Sequence, residues 1–428
     1  MYYSEAEAAV NFAREHDGSI KYDHASGRWF IFNGNIWRPD LRGKVRSLAH
    51  DFIMNETEGM RDLGAQGKAR SKRVVDAVEG LARTIPGLTA GPADWDPDPL
   101  LLGTPAGTLD LRNGKVREPE RQDGITRSLA VAPAQEPACP RWVGFLREST
   151  GGDEGVMSFL KMWCGYSVTG ETKEHALLFI FGPGGNGKSV FINTVAGIFG
   201  DYAATAPMDA FTASTGDRHP TDLAMLRGAR LVTATETEEG RTWAEARVKQ
   251  MTGGDKIAAR FMRQDFFTYV PQFKLTLVGN HMPALRNVDE AMRRRFNIVP
   301  FVLKPQNPDR DLEAKLRAEW PGILRWMIDG YQDYAQHGLV RSESIRAATE
   351  GYFEDEDMLG TWVKERCDTG PDLWDRPGDL FASWSAYATR NGEQAGDLRR
   401  FRSGLERLGF RHQRSHGVRR VIGIRSLE

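Results

Sequence analysis

The sequence predicts an α/β protein: a parallel-sheet core between an N-terminal α+β segment and a C-terminal segment of helices followed by a ribbon. Three observations lead there. Between about residues 141 and 340, the apolar runs ALLFIF, RLVTAT, FKLTLVG and FNIVPF alternate with helical or loop spacers. Short apolar strands spaced this way belong to a sheet buried on both faces. Before them, two aromatic-rich runs flank Asn33-Gly34-Asn35 in IKYDHASGRWFIFNGNIWRPD, a strong hairpin signal. After them, DMLGTWVKERC and DLFASWSAYATRNG have helical periodicity and FRHQRSHGVRRVIGI reads as a two-stranded ribbon turning at His416-Gly417. The proline-rich VAPAQEPACPRW and the change of texture near Arg341 set the expected boundaries, 1–140, 141–340 and 341–428.

In the first segment, an opening helical pattern and the hairpin precede two further helical patterns, near 43–63 and 68–85. PGLTAGPADWDPDP breaks the chain there, and strand-like runs follow around LLLGTPAGTLDLRNGKV. In the last segment, LRRFRSGLERLGF sets Leu398, Phe401, Leu405 and Leu408 on one face with arginines around the other. Helices followed by a ribbon at this size suggest a winged helix.

Composition excludes several classes. With 428 residues, 40% hydrophobic and 27% charged, the chain has the make-up of a globular protein of two to four domains. No apolar run approaches the roughly 18 residues that cross a bilayer, and MYYSEAEAAVNFAREHD lacks a signal core, so a cytoplasmic place is expected. Cys139, Cys164 and Cys367 are far apart and form no CxxC pair, so they read as reduced structural thiols rather than zinc ligands. The net charge of -1 hides an uneven distribution: residues 390–428 hold ten arginines against four acids. One-signed blocks mark solvated tails or interaction surfaces. Arg399, Arg402, Arg419 and Arg420 in this block are candidate DNA contacts.

The chemistry concentrates in GPGGNGKSV, which follows ALLFIF directly. Gly182, Gly187, Lys188 and Ser189 occupy the defining positions of the phosphate-binding loop GxxxxGK[ST]. Glycines let backbone N–H groups curl around phosphate oxygens without Cβ clashes. Gly182, Pro183, Gly184, Gly185, Asn186, Gly187, Lys188, Ser189 and Val190 are therefore the candidate nucleotide-binding residues. Lys188 would neutralise the β- and γ-phosphates, Ser189 would hold Mg²⁺, and the helix opening at KSVFINTVAGIFG would point its positive end at the anion.

Downstream, RLVTATETEEG is an apolar strand ending in acids. Glu236 at that end is the candidate for holding Mg²⁺ through water or polarising the attacking water. Glu238 and Glu239 read better as solvated loop acids. FKLTLVGN ends in Asn280, an amide able to orient the attacking water. Three arginines, Arg293, Arg294 and Arg295, precede the strand FNIVPF, as surface ion-pair formers or as the source of a finger for a neighbouring subunit's γ-phosphate. Between these stretches, KIAARFM and FFTYV could pair as a hairpin with Arg263, Gln264 and Asp265 at its tip. Lys249, Lys256, Arg260 and Arg263 make it basic with aromatics interleaved, suited to a single-strand backbone.

In this order, GPGGNGKS, RLVTATETEEG, KQMTGGDKIAARFM, FKLTLVGNHMP and RRRFNIVPF resemble the superfamily 3 helicases of poxvirus and phage or satellite-phage primase/helicase proteins. The match spans about 177–303; GRWFIFNGNIWRPD and LDLRNGKV resemble the helical domain before the ATPase in that group, and the last segment its winged-helix tail. The resemblance implies an AAA+ P-loop ATPase core that works as a ring, usually a hexamer, and uses ATP and Mg²⁺ to move along one DNA strand, usually 3′ to 5′. It gives Lys188 and Ser189 the P-loop roles, Glu236 the Walker B role and Asn280 that of sensor 1. Arg294 or Arg295 becomes the finger, with the triplet leaving the choice open. Lys249, Asp255 and Arg260 fall in the motif peculiar to the superfamily, and Arg263 lies near the tip of its DNA-contacting hairpin. Two departures stand out. Thr237 interrupts the acidic pair, and the chain has no room for the primase-polymerase domain of larger relatives.

The partners so implied are single-stranded and forked DNA, further copies of the chain, and a separate primase or polymerase, in a bacterial host's cytoplasm. The alternative is an ATP-dependent origin-binding initiator or switch that does not unwind processively. A P-loop kinase or signalling ATPase without DNA would leave the basic C-terminus unused.

Overall fold

The computed structural model describes residues 4–427 except 214–220, 236–240, 263–264, 286–288, 306–307, 392–394 and 416–417. In the N-terminal part, α1 (Glu5–Glu15) is followed by β1 (Ile20–Asp23), β2 (Arg28–Phe32) and β3 (Trp37–Pro39). Then come α2 (Lys44–Glu56), α3 (Leu63–Ala69), α4 (Lys72–Ala82) and the short β4 (Thr89–Ala90), completing a sheet of order β3-β2-β1-β4. The expected hairpin forms: Phe32 pairs with Trp37, and Asn33 Oδ1 accepts from the amides of Asn35 (3.0 Å) and Ile36 (2.9 Å). Trp29 and the helix residues Phe12, Phe52, Ile53 and Val78 bury one face of this sheet. The helical pattern expected over 43–63 stops at Glu56, because Thr57 bonds back to Ile53 O and Asp62 restarts the chain by capping the amides of Gly64 and Ala65.

The strands β5 (Leu101–Thr104), β6 (Gly107–Asp110) and β7 (Lys115–Arg117) form an antiparallel meander. Leu102, Leu109 and Leu111 from it share a core with Trp142 of α5 (Pro140–Ser149) and Trp163 of α6 (Glu154–Val168). α6 is buried on nearly every side, packing along the 26-residue α11 (Leu312–His337). Close approach is what the glycines here provide: a Cβ on Gly165 would lie 2.1 Å from Tyr331 N, and one on Gly330 2.1 Å from Lys161 O. Glu319 of α11 accepts from the first amides of α5, at Arg141 and Trp142, stabilising that helix start.

The four expected strands appear as β8 (Leu177–Phe181), β10 (Leu231–Thr235), β13 (Lys274–Gly279) and β14 (Phe296–Pro300). A fifth, β9 (Ala203–Thr205), was not expected, since AAT is too short and small to read as a strand. α7 (Lys188–Phe199) crosses from β8 to β9, and α8 (Thr221–Ala224) lies before β10. All pairings are parallel, in the order β14-β8-β13-β10-β9. Alternation along β8 divides the core, with Leu178 and Ile180 facing α5, α6, α7 and α11. Leu177 and Phe179 face the other way, toward α9 (Glu245–Thr252) and α12 (Glu343–Glu356). Between α9 and β13, β11 (Ile257–Ala259) and β12 (Phe267–Tyr269) pair as the expected hairpin. The short α10 (Glu290–Arg293) leads into β14.

At the C-terminus, α13 (Met358–Arg366), β15 (Cys367–Asp375), α14 (Pro377–Arg390) and α15 (Leu398–Arg407) precede β16 (Arg411–Ser415) and β17 (Val418–Ser426). The expected ribbon is in fact part of a three-stranded sheet, β15-β17-β16. β15 was missed because CDTGPDLWD holds a Gly-Pro break and no apolar alternation, and its pairing does shift register between Thr369 and Trp374. Phe401 and Leu405 enter the core, while Leu398 and Leu408 sit at its edge, 40% and 38% exposed. The expected turn at His416-Gly417 lies outside the described residues.

Candidate active site

Strand β8, flanked by β14 and β13, delivers the loop Gly182–Gly187 to the N-terminus of α7. A C-terminal strand edge followed by a helix start is where open α/β sheets bind anions. Packing dictates the glycines. A Cβ on Gly182 would lie 1.9 Å from Phe301 O, and one on Gly187 2.6 Å from the ring of Phe145. Gly184 and Gly185 face open space and are exposed with Pro183. Asn186 is buried, donating through Nδ2 to Phe301 O just past β14.

Lys188 is buried within this loop, its Nζ donating to Gly182 O (2.5 Å), Pro183 O (3.0 Å) and Asn186 Oδ1 (2.9 Å). Burial pushes its ammonium below the ordinary lysine range. Three neutral oxygens thus hold a partly desolvated cation, which an arriving phosphate would attract more strongly. Ser189 is exposed at the first turn of α7, and among the described residues its hydroxyl has no hydrogen-bond partner, while Val190 is half-buried.

β13 lies between β8 and β10, so its end reaches the loop. Gly279 pairs with Phe181, and Gly182 N approaches Gly279 O at 3.4 Å. Asn280, the next residue, is exposed beside the phosphate loop. On the far side Thr235 ends β10 opposite Val278. Glu236, Thr237, Glu238 and Glu239 lie outside the described residues.

The arginine triplet separates cleanly. Arg293 pairs with Glu350 and lies over the Phe353 ring at 5.3 Å. Arg295 is buried, with Nε on Thr252 Oγ1 (3.1 Å) and Nη1 on Ala291 O (2.6 Å), and burial lowers its guanidinium from the usual range. Only Arg294 of the three is exposed, and among the described residues its side chain has no hydrogen-bond or ion-pair partner. It sits at the entry to β14, the opposite end of the sheet from the phosphate loop.

On the hairpin, Arg260 lies over the Phe266 ring at 4.7 Å, and Phe261 stacks with Phe267 at 5.8 Å. Met262 (67% exposed) and Phe266 (61%) are open to solvent. Lys256 and Asp255 are exposed, whereas Lys249 forms an ion pair with Asp289, the N-cap of α10. Lys249 therefore joins α9 to the arginine turn rather than standing free. Arg263 and Gln264 lie outside the described residues.

Residues 9–151 match the family described as D5 N terminal like, and 180–295 a family of unknown function (DUF5906). A protein of Acanthamoeba polyphaga mimivirus, named "Putative helicase", is 22% identical over 390 residues, covering 79% of this chain and 40% of that one. A like-named protein of Invertebrate iridescent virus 6 is 26% identical over 381 residues, covering 73% of this chain and 39% of that one. The chain is thus similar to viral proteins named as helicases, with its match to the D5 N terminal like family confined to residues 9–151. It spans about two fifths of the length of these curated relatives. The solved C-terminal region of NrS-1 is similar in fold, with a TM-score of 0.55 at 11% identity over 99% of this chain and all of that one.

The C-terminal arginines are unevenly disposed. Arg399 and Arg419 are exposed; Arg402 is half-buried, and Arg420 lies over the Trp374 ring at 3.8 Å. Among the described residues no helix is long and apolar enough to cross a membrane, and no cluster of metal-ligating side chains occurs. Sequence reasoning missed Arg341, whose Nη2 donates to Arg294 O at 2.5 Å from 47 residues away. No local pattern announces such a contact.

Proposed function

We propose that the chain is the motor of an ATP-dependent DNA helicase, a ring of like subunits, six by the family resemblance, moving 3′ to 5′ to replicate a phage or similar element. Residues 1–140 would bind partners or neighbouring copies, 141–340 would hydrolyse ATP, and 341–428 would hold duplex DNA. The helix–strand–helix–helix–strand–strand order of the last unit supports a winged-helix role there.

The observation that carries this reading is the register of β8 and β14. Phe296 pairs with Leu177 and Pro300 with Phe181, so Arg294 lies about 20 Å along the strands from the phosphate loop. No arginine side chain reaches that far. A free arginine that cannot serve its own subunit suits a site completed by the neighbour, as in trans-acting fingers.

Each residue then has a task. Amides of Gly184 to Lys188 would cradle the phosphates, and Lys188 would exchange its three neutral oxygens for them. Ser189 and Glu236 would hold Mg²⁺, which would neutralise charge on the transferring phosphoryl group. Asn280 would orient the attacking water, and the neighbouring subunit's Arg294 would steady the transition state. Lys256, Arg260 and Arg263 on the hairpin would grip one DNA strand, with Phe261 and Phe266 offering stacking surfaces. Arg399, Arg402, Arg419 and Arg420 would hold duplex through salt-sensitive phosphate contacts.

Mixing tests the shared site. Lys188→Ala and Arg294→Ala should each lower single-strand-stimulated ATP turnover about 10³-fold. An equal mixture should recover activity, because some interfaces combine an intact loop with an intact arginine. Full turnover by Arg294→Ala alone, or no recovery on mixing, would overturn it.

A further inference from the structure

We propose that Arg341 is a positioning residue for the finger: its guanidinium fixes the backbone from which Arg294 reaches the neighbouring subunit's nucleotide. The inference rests on the shared-site reading above and extends it to a residue outside the motifs. Arg341 sits between α11 and α12, where its Nε donates to Asn297 Oδ1 (2.6 Å) and its Nη2 to the Arg294 carbonyl (2.5 Å). Asn297 is wholly buried and donates through Nδ2 to Leu177 O (2.9 Å), the first residue of the P-loop strand. One planar fork thus ties the finger's main chain to the strand that carries the subunit's own phosphate loop.

The flanks of the turn are fixed as well. Arg293 is held by Glu350, Arg295 by Thr252 and Ala291, and Ile298 N by Thr349 Oγ1 (3.1 Å). Arg346 Nη1 in turn donates to Arg341 O (2.9 Å), locking the loop that presents the fork. Of the three arginines in the turn, only Arg294 is exposed with no side-chain hydrogen-bond or ion-pair partner among the described residues. That is the arrangement a charge-stabilising group needs, since a misplacement of about 1 Å can cost about 10²-fold in rate. Lysine has no second donor at the fork's fixed angle, so it would satisfy Asn297 or the carbonyl but not both in this geometry.

Arg341→Ala and Arg341→Lys separate this role from a general structural one. Both should lower kcat for ATP, the alanine variant by about 10²-fold, with affinity for a fluorescent ATP analogue unchanged. Mixed with Lys188→Ala subunits, both should regain turnover as Arg294→Ala does in the parallel control, because the lesion lies in what is donated to the neighbour. Wild-type turnover in both variants would overturn the proposal, as would a loss that mixing fails to restore while the control recovers. Should the alanine variant bind no nucleotide, the lysine variant decides by the same two readouts. A control mixture that stays inactive would sink the shared-site reading itself, and this proposal with it.

Discussion

Gly182 shows how little freedom a single residue has at the phosphate loop. Its missing side chain leaves room for Phe301 O and Asn186 Nδ2, which a Cβ would meet at 1.9 and 2.4 Å. Gly182→Ala should therefore cost about 1–3 kcal/mol by overpacking and abolish nucleotide binding, because Asn186 also receives Lys188. Gly184→Ala, with nothing within 4 Å of its Cβ, should leave thermal unfolding unchanged. Equal melting temperatures for the two variants would refute this account of the loop. The arginine triplet teaches the same lesson through contacts: three identical side chains in sequence become an ion-pair partner, an exposed group and a buried anchor. Adjacent residues leave a helix in different directions, so sequence alone could not choose among them.

At the scale of elements, the hairpin was legible because KIAARFM and FFTYV are apolar runs around a polar turn, and the pairing Ile257 with Tyr269 follows. Its exposed ring and thioether, Phe266 and Met262, are costly to leave in water unless something covers them. Phe261→Ala with Phe266→Ala should weaken single-strand binding by about 1–3 kcal/mol per lost stacking contact while leaving DNA-independent ATP turnover near wild type. Unchanged affinity in a fluorescence titration would remove the hairpin from the DNA path. Strands β9 and β15 were illegible for opposite reasons. The first is too short to carry a pattern, and the second keeps its place through pairing with β17 despite a Gly-Pro break. Tertiary pairing overrides weak local preference in both.

Over the whole molecule, the parallel sheet was readable in advance because strands buried on both faces leave long apolar runs. The strand order was not, since nothing local says that β13 inserts between β8 and β10. That insertion brings Asn280 beside the phosphate loop, and the position of β14 carries Arg294 away from it. On the proposed shared site, one subunit alone would hold an incomplete site, and motion along DNA would be a property of the assembly. The most direct measurement is ATP-dependent strand separation on a forked duplex by wild type and Lys188→Ala. Separation by wild type alone is the predicted result. If wild type hydrolyses ATP and binds the fork but separates nothing, the motor account is contradicted, and the chain acts instead as an ATP-timed origin binder.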